Sequence, residues 1–311
     1  MILVAGGTGL LGRDVVARFV GRGRRVRVLT RDVAAGRSAL GRLADRVELI
    51  AGDVRDPASL APAMVGAETV VAAVQGFGGR EAGGIPAVDR DGNRNLVRAA
   101  AAGGVGRYVL LSIHDASAAD PLALGRAKAA VEVELQATSM IPLVVRPTAY
   151  METWAGIVGG PILATGRARV FGRGQNPINF VAAADVAPVV EELAADVDGA
   201  GRTGRTIEVV GPEDLSFDDI VARFSAALGR PVPTSHVPLP MLRAMAIALR
   251  PIKPILAAQI GAAVILDTID RTAAGAGPES ATLHRGATTF ETVISGLVAS
   301  SRATAEVRAG T

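Results

Sequence analysis

The chain has 311 residues, long enough for one large domain or two modest ones with an ample core. Hydrophobic residues make up 49% and charged ones 20%, which excludes a disordered chain; the lack of cysteine excludes disulfides, thiolate catalysis and cysteine-ligated metals. The formal charge is only +3, and the arginines are scattered among acids, without the sustained basic face and stacking aromatics of a nucleic-acid protein.

The chain opens on an apolar run, "MILVAGG", with no charged n-region or cleavage motif, so no signal peptide is expected. Six short β-branched runs follow one another: "ILVA", "RVRVLT", "RVELIAG", "TVVAAV", "RYVLLS" and "PLVVRP". Segments of helical periodicity such as "GLLGRDVVARFVGRG" and "GNRNLVRAAAAGG" lie between them. Apolar strands separated by helices imply a parallel sheet covered on both faces. Right-handed crossovers then give an α/β, doubly wound, mostly parallel Rossmann sheet over residues 1–147.

After Pro147 the rhythm changes, and residues 148–311 are expected to form a smaller C-terminal substrate lobe with a mostly helical end. Strands near 178–181 and 205–210 are expected to return to the core sheet. "SFDDIVARFSAALG" reads as a helix opened by a capping box of Ser216 and Asp219. A helical segment is predicted from about Pro238 to Asp270, then a Gly/Ala/Thr-rich loop, a last helix over 288–299 and a frayed tail. The apolar run from Val237 to Asp267 is broken by Arg243, Arg250, Lys253 and prolines, too often for a bilayer span. No integral membrane segment is expected, and a cytoplasmic monomer or homodimer is the default.

"AGGTGLLGRDV" follows the first strand and opens the first helix. Gly7, Gly9 and Gly12 fit G-x-G-x-x-G, and Gly6, Gly9 and Gly12 fit G-x-x-G-x-x-G. Such a loop needs a tight turn, close backbone approach to a pyrophosphate and close helix–strand packing, with helix N–H groups aimed at the phosphates. Gly6, Gly7, Thr8, Gly9, Leu10, Leu11 and Gly12 are therefore the candidate dinucleotide loop. The second strand ends "VLTRD", where an NAD site would place an acid for the ribose hydroxyls. Arg31 instead offers a guanidinium to a 2′-phosphate, so NADP(H) is favoured over NAD(H). Asp53 and Val54 in "GDVRDP" are candidates for the adenine, and Ala73, at the end of the fourth strand, for the nicotinamide-side ribose. No metal site is expected.

Of the 33 basic residues only Lys128 and Lys253 are lysines. Arginine serves almost everywhere a surface charge would do, so an ammonium that can lose its proton when desolvated marks Lys128 as a candidate functional residue. His114 could donate a proton near neutral pH. Tyr150 falls where the chain enters the second lobe. Tyr108 is expected in the core.

The segments "GGTGLLG", "VLTRD", "GDVRDP", "DRDGNRNLVRAA", "YVLLS", "RAKAAVE" and "RPT" occur in the order and spacing of short-chain dehydrogenase/reductases. More narrowly the chain resembles their atypical, NmrA-like NAD(P)-binding branch, densely over residues 1–150 and more loosely beyond. The resemblance implies a substrate cleft over the nicotinamide. Typical members carry a serine that polarises a carbonyl, a proton-transferring tyrosine, and a lysine four residues later that binds the nicotinamide ribose. Ser112 matches the serine and Lys128 the lysine, but Leu124 stands in place of the tyrosine. Catalytic candidates are thus Lys128, Ser112, His114 and Tyr150, with a small organic molecule as substrate. The expected function is an NADPH-dependent reductase lacking the usual tyrosine. The alternatives are a non-catalytic NAD(P)-binding redox sensor and an accessory protein.

Overall fold

The computed structural model describes residues 1–76, 84–195, 204–273 and 282–309. They form two units. The first comprises segments 1–147 and 183–209 with a short piece ending at His284; the second comprises 148–182 and most of the chain after Val210.

In the first unit β1 (Ile2–Ala5), α1 (Leu10–Gly21), β2 (Val26–Thr30), α2 (Val33–Leu40), β3 (Glu48–Ala51), α3 (Ala61–Met64), β4 (Thr69–Ala72), α4 (Asn93–Ala102), β5 (Arg107–Leu111), α5 (Ala123–Gln136) and β6 (Ile141–Pro147) alternate. The chain then builds β7 (Ala149–Tyr150), α6 (Met151–Thr165), β8 (Ala168–Phe171) and β9 (Ile178–Val181) of the second unit. It returns to the first for α7 (Ala183–Ala195) and β10 (Arg205–Val210). The remaining elements are β11 (Asp214–Leu215), α8 (Phe217–Leu228), β12 (Thr234–Val237), α9 (Leu239–Leu249), α10 (Pro254–Leu266), β13 (Thr282–Arg285) and α11 (Phe290–Ala309).

The main sheet has eight strands in the order β13-β10-β6-β5-β4-β1-β2-β3. Every pair from β10 through β3 is parallel. Strands β1 and β4 are buried at every residue, as a sheet covered on both faces requires. Alternation sorts their side chains. Leu3, Ala5, Val70, Ala72, Tyr108 and Leu110 meet Leu96, Val97 and Ala100 of α4 and Val131 and Leu135 of α5. On the opposite face α1 packs on α7, which lies against β4, β5 and β6. Because β1 sits between β2 and β4, the strand order reverses there, and the crevice at the carboxyl ends of β1 and β4 is where such sheets receive ligands.

Of the two strands expected to rejoin the sheet, Arg205–Val210 does so beside β6, with Glu208 in register with Arg146. Ile178–Val181 does not. It pairs with β7 and β11 in a separate three-stranded sheet of the second unit, whose short partners at 149–150 and 214–215 carry no visible strand signal in the sequence.

The second unit is organised around aromatic contacts: Trp154 on Phe217 (centroids 5.1 Å), Trp154 on Phe180 (6.4 Å) and Phe180 on Phe290 (5.4 Å). Helices α6, α8 and α11 pack together around them. The Ser216–Asp219 capping box opens α8. The apolar stretch after Pro238 is two helices rather than one, because Pro251 and Pro254 interrupt the backbone ladder. The tail expected to fray continues α11 to Ala309. Residues 274–281 of the expected Gly/Ala/Thr-rich loop lie outside the described residues. No helix among the described residues is long and apolar enough to cross a membrane.

Candidate functional site

The glycine loop bridges the ends of β1 and β4. Gly6 has φ +85°, and a Cβ there would lie 2.5 Å from the carbonyl oxygen of Ala73. The Ala73 N–H donates to the Ala5 carbonyl at 2.8 Å, holding the two strand ends together. At Gly12 a Cβ would lie 2.1 Å from the Gly6 carbonyl oxygen, so the first turn of α1 rests directly on the loop.

Gly9 caps α1 without a side-chain acceptor, and the first turn carries no acid. Its leading N–H groups and the positive end of the helix dipole are left for an anion. Gly7 and Leu11 are buried beneath the loop, Thr8 is half-buried and Leu10 is exposed. The floor of this cradle is backbone at positions where a side chain would collide with backbone. The residues present fit a dinucleotide pyrophosphate.

At the end of β2, Asp32 is the N-cap of α2, its Oδ1 accepting from the Ala35 N–H at 3.0 Å. The one acid at the position that grips ribose hydroxyls in an NAD site is therefore engaged in ending a loop and starting a helix. Arg31 beside it is exposed. Asp53, expected at the adenine, is held by its neighbour: Arg55 donates from Nε at 3.0 Å and from Nη2 at 2.6 Å. Those bonds, helped by the charges of Arg55 and Arg31, keep its carboxyl below the usual range. Val54 is buried against Gly92, and its carbonyl accepts from Asn95 Nδ2 at 3.0 Å.

Lys128 lies on α5 and is buried. Its Nζ donates to the Val74 carbonyl at 3.4 Å and lies 3.6 Å from Asp89 Oδ1. Asp89 belongs to a π-helical stretch, Pro86–Gly92, is fully buried, and accepts from the Gly76 N–H at 3.0 Å. Burial pushes the lysine pKa down and the aspartate pKa up, while each partner's charge opposes the shift in the other. Leu124, one turn earlier on the same helix, is half-buried.

Ser112 and His114 enter a buried network. Ser112 Oγ donates to Glu132. Arg146 Nε donates to Glu132 Oε1 at 3.0 Å, and its Nη1 reaches Glu208 Oε1 at 3.2 Å. The other oxygen of Glu208 lies 2.8 Å from His114 Nδ1, and His114 Nε2 lies 3.3 Å from Asp115 Oδ2. Asp115 has φ +57°, a backbone conformation rare outside glycine and a local source of strain. Tyr150 belongs to the second unit, on β7, and burial raises its pKa. Tyr108 is fully buried in the core.

Four residues of these clusters were not singled out by sequence reasoning: Asp89, Glu132, Arg146 and Glu208. Three of them carried a signal. Asp89 and Glu132 lie inside quoted segments, Glu132 one helical turn after Lys128, and Glu208 is an acid within an apolar strand, a pattern that marks a paired buried charge.

The chain belongs to the NmrA-like family, whose sequence profile it matches over residues 1–291. It is 28% identical to the photosystem II assembly factor Ycf39 of Synechocystis sp. over 245 residues, covering 78% of this chain and 72% of that protein. It is 27% identical to the NAD(P)H azoreductase of Xenophilus azovorans over 234 residues, covering 75% of each. Among solved structures, the triphenylmethane reductase of Citrobacter sp. complexed with NADP(H) superposes with a TM-score of 0.72 at 18% identity, covering 95% of this chain and 99% of that one.

Proposed function

We propose that the protein is an NADPH-dependent reductase of a small, conjugated organic acceptor, working without the usual catalytic tyrosine. The observation that carries this reading is the continuity of one sheet edge: Gly6 is pressed on Ala73, and Lys128 is bonded to Val74, the next residue.

In this reading the N–H groups of the first turn of α1 hold the pyrophosphate, and Arg31 pairs with the 2′-phosphate while Asp32 is occupied as a helix cap. Lys128, held by Val74 and Asp89, donates to the nicotinamide-side ribose. When bound, the dinucleotide supplies two electrons as a hydride. Leu124 has no proton to exchange, so the acceptor takes its balancing proton from water. Extended azo, enone or quinone-methide systems suit that requirement better than an isolated ketone, whose developing alkoxide needs a donor beside it. The names of the azoreductase and triphenylmethane reductase relatives support the same acceptor class.

Titration of the purified protein with NADPH and NADH, followed by absorbance assays of nicotinamide oxidation against azo dyes, quinones and enones, tests the reading. NADPH is expected to bind more tightly and to be consumed. Arg31→Ala is expected to weaken NADPH about tenfold and leave NADH unchanged. Failure to bind either dinucleotide would overturn the proposal. Binding without turnover on any acceptor would point to the second reading, a non-catalytic NAD(P)-binding accessory or sensor protein. Leu124 and the assembly-factor relative favour that alternative.

A further inference from the structure

Between Pro238 and Leu266 the second unit carries a helical hairpin with an apolar outer surface. Helices α9 and α10 pack on each other and join through the tight turn Arg250–Lys253, where the Lys253 N–H donates to the Leu249 carbonyl at 2.7 Å. Leu242, Ala257 and Ile260 face inward and are buried. At the tip the pattern inverts: Ile247 is 75% exposed and Ile252 74%, with Met241, Met245 and Leu256 exposed along the two helices.

The charge of this stretch is one-sided. Arg243, Arg250 and Lys253 are exposed, and no acid occurs from Pro238 through Leu266. What sets the stretch apart is that its cations stand among exposed large aliphatic side chains. Large aliphatic side chains projecting between cations are the combination that suits the boundary between headgroups and acyl chains of an anionic bilayer. Neither helix is long enough to cross one: α10, with 13 residues, spans only ~20 Å against ~30 Å of hydrocarbon.

We propose that this hairpin docks the protein on an anionic lipid surface. Ile247 and Ile252 enter the headgroup–acyl boundary, and Arg250 and Lys253 contact lipid phosphates. A second copy of the chain fits less well, because a twofold contact through the tip would set Arg250 and Lys253 against their own symmetry mates. Nucleic acid fits less well too, since the stretch offers no aromatic side chain for stacking. The inference does not depend on the dinucleotide reading.

The test is flotation of the full-length protein with vesicles of phosphatidylcholine containing roughly one third phosphatidylglycerol, against pure phosphatidylcholine. Binding is expected only to the anionic vesicles, falling with added salt. It should fall about fivefold for each of Arg250→Ser and Lys253→Ser, and at least about tenfold for Ile252→Glu. Because the chain has no cysteine, Ile252→Cys gives a single labelling position. An environment-sensitive dye there is expected to shift to shorter emission wavelengths on anionic vesicles, a readout that survives should the charged variant fail to fold. The proposal is overturned if the protein does not float with anionic vesicles, or if Ile252→Glu floats as well as the parent. It is equally overturned by a concentration-dependent dimer that Ile252→Glu abolishes without any vesicle binding, which would assign the face to a second copy.

Discussion

In the first unit Arg146 lies between the carboxylates of Glu132 and Glu208, whereas one polar hub of the second unit, besides the buried carboxylate of Asp267, is the uncharged amide of Asn179. Asn179 Nδ2 donates to the Glu213 carbonyl at 3.1 Å and to Asp214 Oδ1 at 2.8 Å, and its Oδ1 accepts from the Gly211 N–H at 2.7 Å and from Thr148 Oγ1 at 2.9 Å. The amide satisfies backbone and loop groups, and Asp214 Oδ1 also accepts from the Ala273 N–H at 3.1 Å. The guanidinium does something different: through Glu132 and Glu208 it fixes Ser112 and His114, the side chains that follow β5. A buried charge requires partners on every side, so a charged hub transmits order to its neighbours, while a neutral hub closes a local circuit.

That contrast can be broken or sharpened by substitution. Arg146→Met leaves two buried carboxylates facing each other and is expected to cost about 4 kcal/mol in urea unfolding. Asn179→Ala leaves buried donors and acceptors unpaired without stranding a charge, and is expected to cost about 3 kcal/mol. Equal losses for the two would erase the distinction between the hubs. In the glycine cradle, Gly12→Ala drives a methyl group onto the Gly6 carbonyl. It is expected to cost about 2 kcal/mol and to abolish dinucleotide binding measured by titration. Asp32→Ala removes only the cap of α2 and should cost about 1 kcal/mol by thermal unfolding.

The finest probe is the protonation of Lys128, one of two lysines in the chain, so that lysine-selective carbon-13 NMR yields two signals, assigned with Lys253→Arg. Burial lowers its pKa, and the charge of Asp89 pulls it back up. Asp89→Asn removes the opposing pull, so Lys128 is expected to lose its proton at still lower pH. A titration that is unmoved, or moves upward, would contradict the pairing.

The six strands of the first half were legible because each is a short, mostly apolar run between helical segments, although the edge strand β3 has no buried residue. The glycine loop was legible because its requirement is a collision between neighbouring backbone atoms, and only glycine avoids it. Lys128 could be noticed through the rarity of lysine, but its pairing with Asp89 could not be read from spacing. Asp89 sits in a π-helical turn whose side chains follow no regular period. Ser112 and His114 were expected at the substrate, and the structure ties both into the Arg146 network instead of leaving their direction to the strand end alone. Ile178–Val181 looked like a core strand because burial at every residue reads the same in either sheet.

The sequence by itself determined the strand–helix alternation, the Gly6–Gly12 turn after β1 and the capping box of α8; the turn and the capping box rest on contacts between residues close along the chain. The tertiary structure decided which charges meet. His114 and Glu208 are 94 positions apart, and they touch because β10 lies parallel to β6 with Glu208 in register with Arg146. Strand order and register are set by the packing of both sheet faces, and no local pattern encodes them.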